Sequence, residues 1–263
     1  MKDISNKLRI GTSGYSFEDW KGEFYPQDIQ KGKMLDFYAQ HFDTVEVNST
    51  YYRIPPHHVF YHMGQKTSDY FHFIVKVHAD VTHKRKDAAD SIKNLLEAVH
   101  PLQEAGKLKG FLAQFPYSFK GTSTNLDYVK SVQEALGSYR LFVEFRHSSW
   151  MTEEVLSGLR DHRIGFVSVD EPQLAYMIPP EPHLTTDIGY VRFHGRNSEN
   201  WYHPEKGDRY DYLYTEQELT EWIHPIKKMA SAASLTYLFF NNCHMGNAVK
   251  NARMMKKLLS QAT

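Results

Sequence analysis

The chain has 263 residues with 41% hydrophobic content, enough to bury a full core, and is expected to form one domain spanning residues 1–263. Thirty-one Lys and Arg balance 31 Asp and Glu, which excludes the long-range field of a dedicated nucleic-acid or membrane-surface binder, although local basic patches stay open. The single cysteine, Cys243, excludes an intrachain disulfide and a thiolate metal cluster. Together with an N-terminal stretch (MKDISNKLRIG) lacking an apolar signal core and the absence of any apolar run long enough to span a bilayer, this leads us to expect a cytoplasmic protein with no membrane partner.

In chain order, Lys7–Gly14 (KLRIGTSG) reads as a first strand ending in small residues that let the backbone turn. An aromatic loop follows, then a helix around Gly32–Gln40. DTVEVNSTYYRIP gives a second strand with Val45 and Val47 on one parity and Glu46 and Asn48 on the other. Pro55 and Pro56 end it, and a helix follows from His57 to about Lys66. FHFIVKVHADVTH is the third strand, with Lys76 on the parity of Ile74 and His78. A helix over Ala88–His100 carries Ile92, Leu95, Leu96 and Val99 at helical spacing.

Gly110–Pro116 supplies a fourth strand bearing Gln114, and Leu126–Leu136 the next helix. Leu141–Trp150 (LFVEFRHSSW) is the fifth strand. Its one face is wholly apolar, while Glu144 and Arg146 place full charges on the other. Thr152 and Glu154 suit the start of a helix reaching Asp161. Gly165–Asp170 is a sixth strand in which Phe166, Ser168 and Asp170 share a parity. Glu171–Asp187 holds four prolines and breaks the strand–helix alternation.

Ile188–Arg196 is the seventh strand, with Arg192, His194 and Arg196 on one parity. The loop Asn197–Tyr214 contains Trp201 and four tyrosines, and a helix is expected over Glu216–Ala230. Leu235–Asn242 is the eighth strand and Gly246–Ser260 the last helix. Eight strands alternating with about seven helices predict an α/β fold, a parallel (β/α)8 TIM-type barrel with an irregular connection between strands six and seven. No glycine-rich nucleotide-binding fingerprint opens a helix after a strand.

IGTSGYSFEDWKGEFYP, FDTVEVNSTYYRIP, FIVKVHADVTH, LAQFP, LFVEFRHSSW, YVRFHGR and YLFFNN followed by GNAVKNA, together and in this order, resemble the YecE-like family, a domain of unknown function. The resemblance covers nearly the whole chain. It implies a TIM-type barrel with a pocket at the C-terminal ends of the strands and implies no reaction.

In such a barrel one parity points at the axis, so inward charges near strand ends line the mouth. The inward set read from the sequence is Glu46, Asn48, Lys76, Gln114, Glu144, Arg146, Asp170, Arg192, His194 and Asn241 or Asn242. One outcome is a compensated structural network, Glu144 with Arg192 for instance. Three chemistries compete with it. In the first, Lys76, Arg146, Arg192 and Arg196 bind an anionic, phosphorylated small molecule beside a helix N-terminus at Gly246 and Asn247, with His194 carrying a proton and Glu46 or Glu144 its partner. In the second, Glu46, Glu144, Asp170 and His194 hold a divalent metal for assisted hydrolysis.

In the third, Tyr15, Trp20, Tyr51, Tyr52, Trp201 and Tyr210 stack on a sugar or a nucleic-acid base. His83, within the basic run HKRK, is a further candidate contact, although that run also suits a solvated loop. Cys243 beside His244 is expected to be a bystander. The sequence thus points to a hydrolase-like barrel with catalytic candidates Glu46, Glu144, His194 and Asp170 acting on a phosphorylated or nucleic-acid-derived substrate. The competing expectation is a barrel that binds a ligand or partner without turning it over.

Overall fold

The computed structural model describes residues 4–203 and 208–261, so residues 204–207 of the long aromatic loop lie outside the described residues. Nine parallel strands are described: β1 (Leu8–Ser13), β2 (Thr44–Val47), β3 (His72–Lys76), β4 (Leu108–Gln114), β5 (Leu141–Glu144), β6 (Gly165–Phe166), β7 (Ser168–Asp170), β8 (Ile188–Phe193) and β9 (Leu235–Phe240). The ladder runs β6-β5-β4-β3-β2-β1-β9-β8-β7. Its two ends are halves of one run, separated only by Val167, so the sheet returns on itself as a nearly closed TIM-like barrel.

The sixth strand expected over Gly165–Asp170 therefore breaks in the middle. Gly165 and Phe166 pair with β5, whereas Ser168–Asp170 pair with β8. The proline-rich connection patches the break. Thr185 Oγ1 accepts the Phe166 N–H at 2.8 Å, and Ser168 Oγ accepts the His183 N–H at 2.9 Å.

The helices are α1 (Met34–Tyr38), α2 (His57–Gln65), α3 (Ala88–Glu104), α4 (Ser123–Leu136), α5 (Glu153–Asp161), α6 (Glu216–Glu221), α7 (Ile223–Ala232) and α8 (Asn247–Gln261). Thr152 caps α5 by accepting the Val155 N–H, with Glu153 and Glu154 in the first turn, as the sequence suggested. The single helix expected over Glu216–Ala230 is two, divided at Trp222. Pro225 explains the division: it has no N–H for the Glu221 carbonyl, and a first-turn position is where a helix tolerates it. β3 ends at Lys76, and its expected continuation is a π-helical turn over Asp80–Lys84. No described helix is long and apolar enough to cross a membrane.

Register fixes which side chains face the axis, because residues paired across parallel strands point the same way. Ser13 pairs with Glu46, Glu46 with Ile74, Lys76 with Leu112, Gln114 with Glu144, and Phe142 with Gly165. On the other side of the break Val169 pairs with Arg192, Arg192 with Phe239, and Asp170 with Phe193. Below the mouth the interior is packed by Phe142, Tyr190, Tyr237 and Phe239, whose rings lie 5.0–6.4 Å apart.

Between β1 and β2 the backbone approach is tight enough to exclude any side chain: a Cβ on Gly11 would sit 2.3 Å from the Thr44 carbonyl oxygen. Gly11→Ala is expected to force β1 and β2 apart and to cost about 1–3 kcal/mol. Chemical denaturation of the variant measures this, and an unchanged midpoint would contradict the packing described.

Candidate active site

At the C-terminal end of the barrel, Arg192 spans the axis. Its Nη2 contacts Glu46 Oε1 at 2.6 Å and its Nη1 contacts Glu144 Oε2 at 2.5 Å, and all three side chains are buried. Tyr190 donates to the other Glu46 oxygen at 2.5 Å, and Ser13 Oγ stands 3.4 Å from Arg192 Nη2. Arg146 extends the network: it lies 2.8 Å from Glu144 Oε1 and 2.5 Å from Glu171 Oε2. His194 places Nε2 3.2 Å from Glu144 Oε1, but neither atom meets hydrogen-bond geometry. Its Nδ1 lies 3.0 Å from the Asn241 amide nitrogen, which assigns Nδ1 as acceptor and the ring proton to Nε2.

Burial alone would push Glu144 up, but the guanidinium groups of Arg146 and Arg192 overcome it and hold the carboxyl well below its ordinary range. For Glu171 burial wins. Although Arg146 contacts it, that guanidinium is already shared with Glu144, and the carboxyl is pushed up to about 8. His194 is pushed down to about 3, mainly by burial and then by Arg146, and stays neutral. At neutral pH the network thus sets the Glu144 carboxylate between two guanidiniums, with Glu46 salt-bridged to Arg192 and with Glu171 and His194 uncharged.

Above this network lies a cleft of about 490 Å³. Lys76, Gln114 and Arg146 form its floor, and His83, Arg209, Tyr51, Tyr117, Trp201, Tyr202 and Tyr210 contribute to its walls; Tyr52 lies at its edge. Among the described residues no carboxylate lines it. Lys76 Nζ donates to Gln114 Oε1 at 2.8 Å and sits 4.6 Å from the centre of the Tyr51 ring. Burial, reinforced by Arg192, lowers its pKa to about 7, against the pull of Glu144 and Glu46. Burial also lowers His83 to about 4. The larger groove of about 800 Å³ at the opposite end of the barrel is a surface trough in which Arg140 and Asp187 neutralise one another.

Of the residues singled out in the sequence, Lys76, His83, Gln114, Arg146 and Tyr210 meet around the cleft, while Glu46, Glu144, Arg192, His194 and Asn241 lie in the network beneath it. Asn48 and Tyr15 line a neighbouring pocket. Asp170 does not join them. It pairs with outward-facing Phe193 and is saturated by Tyr214 Oη and Trp222 Nε1, both at 2.7 Å, and by Arg196 Nε and Nη2 at 3.0 and 2.8 Å. Arg196 turns outward with it, because Gly195 at φ +91° ends the strand alternation.

Asn242 ties the long loop to α8 through Tyr212 O and Asn251 Oδ1, and Trp20 is core, its indole donating to Cys243 O at 2.6 Å. The metal set inferred from Glu46, Glu144, Asp170 and His194 does not converge. Asp170 faces the helices and both Glu46 oxygens are taken, and no cluster of three or more His, Cys, Asp or Glu suited to a metal occurs among the described residues. At the expected anion site by Gly246 and Asn247, Asp19 accepts the neighbouring Met245 N–H at 2.8 Å and the Asn247 N–H is donated to His244 O. Cys243 contacts Ser13 O, while His244 faces Asp208 and Asp211.

Sequence reasoning missed Glu171 in the network and Arg209 and Tyr117 in the cleft; for Glu171 a signal was there. Continuing the inward parity of Gly165, Val167 and Val169 reaches it.

Two stability outcomes follow. Arg192→Met leaves two buried carboxylates without their shared cation and is expected to cost about 3–5 kcal/mol, partly recovered on acidification as they protonate. Between about pH 3 and 6.5 the unfolded chain protonates the His194 position while the folded chain does not, so folding stability rises with pH in that window. His194→Gln should flatten this slope without abolishing it, because His72 and His83, both held near 4, act in the same sense. Denaturant midpoints measured from pH 4 to 7 test both.

Comparison with known proteins places this geometry. Residues 9–263 match the family model described as protein of unknown function DUF72, the family also labelled YecE-like. The UPF0759 protein YunF of Bacillus subtilis (strain 168) is 30% identical over 269 residues, covering 96% of this chain and 94% of that protein. The crystal structure of a DUF72 family protein from Thermotoga maritima MSB8 superposes with a TM-score of 0.88 at 42% identity, covering 96% of this chain and 99% of the other. One from Enterococcus faecalis V583 gives 0.86 at 28% identity, covering 96% and 95%. The chain belongs to the DUF72 family.

Proposed function

We propose that the chain is an enzyme that binds a phosphorylated or nucleic-acid-derived small molecule in the mouth cleft and hydrolyses it by acid–base catalysis. The observation that carries this is the cleft's composition: Lys76, Arg146 and Arg209 face a space walled by aromatic rings, with no opposing carboxylate among the described residues. Such a site favours an anion with a planar or sugar portion that packs on rings. Metal assistance finds less support, for the ligand reasons given above.

The buried network recasts the roles. Glu46 and Glu144 are engaged in salt bridges with Arg192 and Arg146, so they serve as fixed counter-charges that position the guanidiniums. Proton acceptance falls to groups that face the cleft, with Lys76 first: its amine sheds its proton near neutrality and has the neutral Gln114 amide as its hydrogen-bond partner. The neutral His83 imidazole is a second acceptor at the same wall. Ligand capture without turnover is the competing account, and the commitment of both glutamates to salt bridges favours it to that extent.

Release of inorganic phosphate from a panel of sugar phosphates and nucleotides is the primary test. Because only the neutral amine accepts a proton, kcat/KM for a substrate so found is expected to rise with pH through about 7. Lys76→Met should lower kcat by about 10²-fold or more. A substrate turned over equally well by this variant would remove Lys76 from the chemistry. Binding without turnover across the panel would select the ligand-capturing account.

A further inference from the structure

Beside the mouth cleft, and separated from it by the turn Asn48–Tyr52, lies a second pocket of about 320 Å³. Its walls include Phe17, Val59, Phe60 and Met63, with Tyr52 shared between the two cavities. Among the described residues the pocket's lining carries no charged side chain. Asn48 is its distinctive group. Its Oδ1 is buried without a hydrogen-bond partner, and its Nδ2 donates to no described residue. A buried carboxamide oxygen is costly to leave unpaired, and a ligand or a water completes it.

We infer that this pocket is a nucleobase subsite, in which the Asn48 amide pairs with the donor–acceptor edge of a base while the attached sugar phosphate crosses Tyr52 into the cationic cleft. Three features fit that occupant. An asparagine amide presents one donor and one acceptor side by side, the complement of a purine or pyrimidine edge. The aromatic and aliphatic walls suit a flat ring, and apart from Asn48 the side-chain polar groups of the lining are the hydroxyls of Ser13, Ser16, Ser49, Tyr15 and Tyr52, with no cation to hold a phosphate. Tyr51 faces the cleft while Asn48 and Ser49 face the pocket, so one turn touches both parts of such a ligand. The placement of the phosphate rests on the anionic-substrate reading of the cleft; the base subsite rests on Asn48 and its pocket.

Calorimetric titration with the four nucleoside 5′-monophosphates, their nucleosides and ribose 5-phosphate separates the two. At least one monophosphate is expected to bind about tenfold or more tighter than ribose 5-phosphate. Asn48→Leu should erase that advantage while leaving ribose 5-phosphate affinity unchanged. Val59→Phe, which narrows the pocket from another wall, should do the same, and thermal melting confirms that both variants fold. If every monophosphate binds no tighter than ribose 5-phosphate, the subsite is overturned while the anion cleft stands. If nucleosides bind in an Asn48-dependent way and ribose 5-phosphate does not, the subsite stands and the cleft reading falls. Absence of binding by all probes overturns the subsite.

Discussion

Arg192 holds the mouth of this barrel together. One guanidinium reaches Glu46 on β2 and Glu144 on β5 from β8, so three strands spaced around the ring are tied across the axis. Desolvating three charged groups is expensive, and their attraction offsets that cost only when the remaining hydrogen-bonding capacity is filled. Tyr190 fills it at Glu46, and Arg146 supplies a second positive neighbour at Glu144. A tie of this kind adds less to net stability than a hydrocarbon core of equal volume would. What it fixes is the position of charge beneath a cavity.

That placement sets the chemistry of the cleft above. Because both glutamates are committed below, Lys76 has no carboxylate in contact among the described residues, and burial together with Arg192 loosens its proton. Arg146 is shared between Glu144 and Glu171 while its guanidinium also faces the cleft, its carbon 5.4 Å from the centre of the Trp201 ring. The same commitment leaves Glu171 short of positive charge, which keeps its proton. One arrangement therefore yields an ionised acid, a protonated acid and a base poised near neutrality within adjoining shells. Environment, rather than residue type, separates them.

Most of the architecture was legible because a parallel barrel writes itself as apolar runs separated by helical periodicity. Glu46, Lys76, Glu144 and Arg192 were legible for the same reason: charge inside such a run has few places to go. Two elements misled for physical causes. In the sixth strand the polar parity is the outward one, since Asp170 serves Tyr214, Trp222 and Arg196 against the helix layer. The inward parity there is Gly165, Val167 and Val169, and it delivers Glu171 at a position the sequence marks only as the start of a proline-rich connection. Beyond a strand's end, alternation stops meaning anything. Gly195 at positive φ sends Arg196 outward, and the Asn241–Asn242 pair divides, one side chain to His194 and the other to α8.

The broken sixth strand shapes the connection that follows Glu171. Because β6 and β7 belong to different halves of the ladder, the run bends at Val167, and its end is carried to the mouth beside Arg146. An unbroken strand of two helix-facing and axis-facing parities would still direct residue 171 inward. It would not require the Glu171–Asp187 segment to return under the mouth and supply Thr185 and His183 to the strand's unpaired backbone and side-chain groups. That return also brings Met177 to the cleft and anchors the Tyr176 carbonyl on the Ser148 N–H at 2.8 Å. The connection without a helix is thus a wall of the site, and its irregularity follows from closing the barrel there.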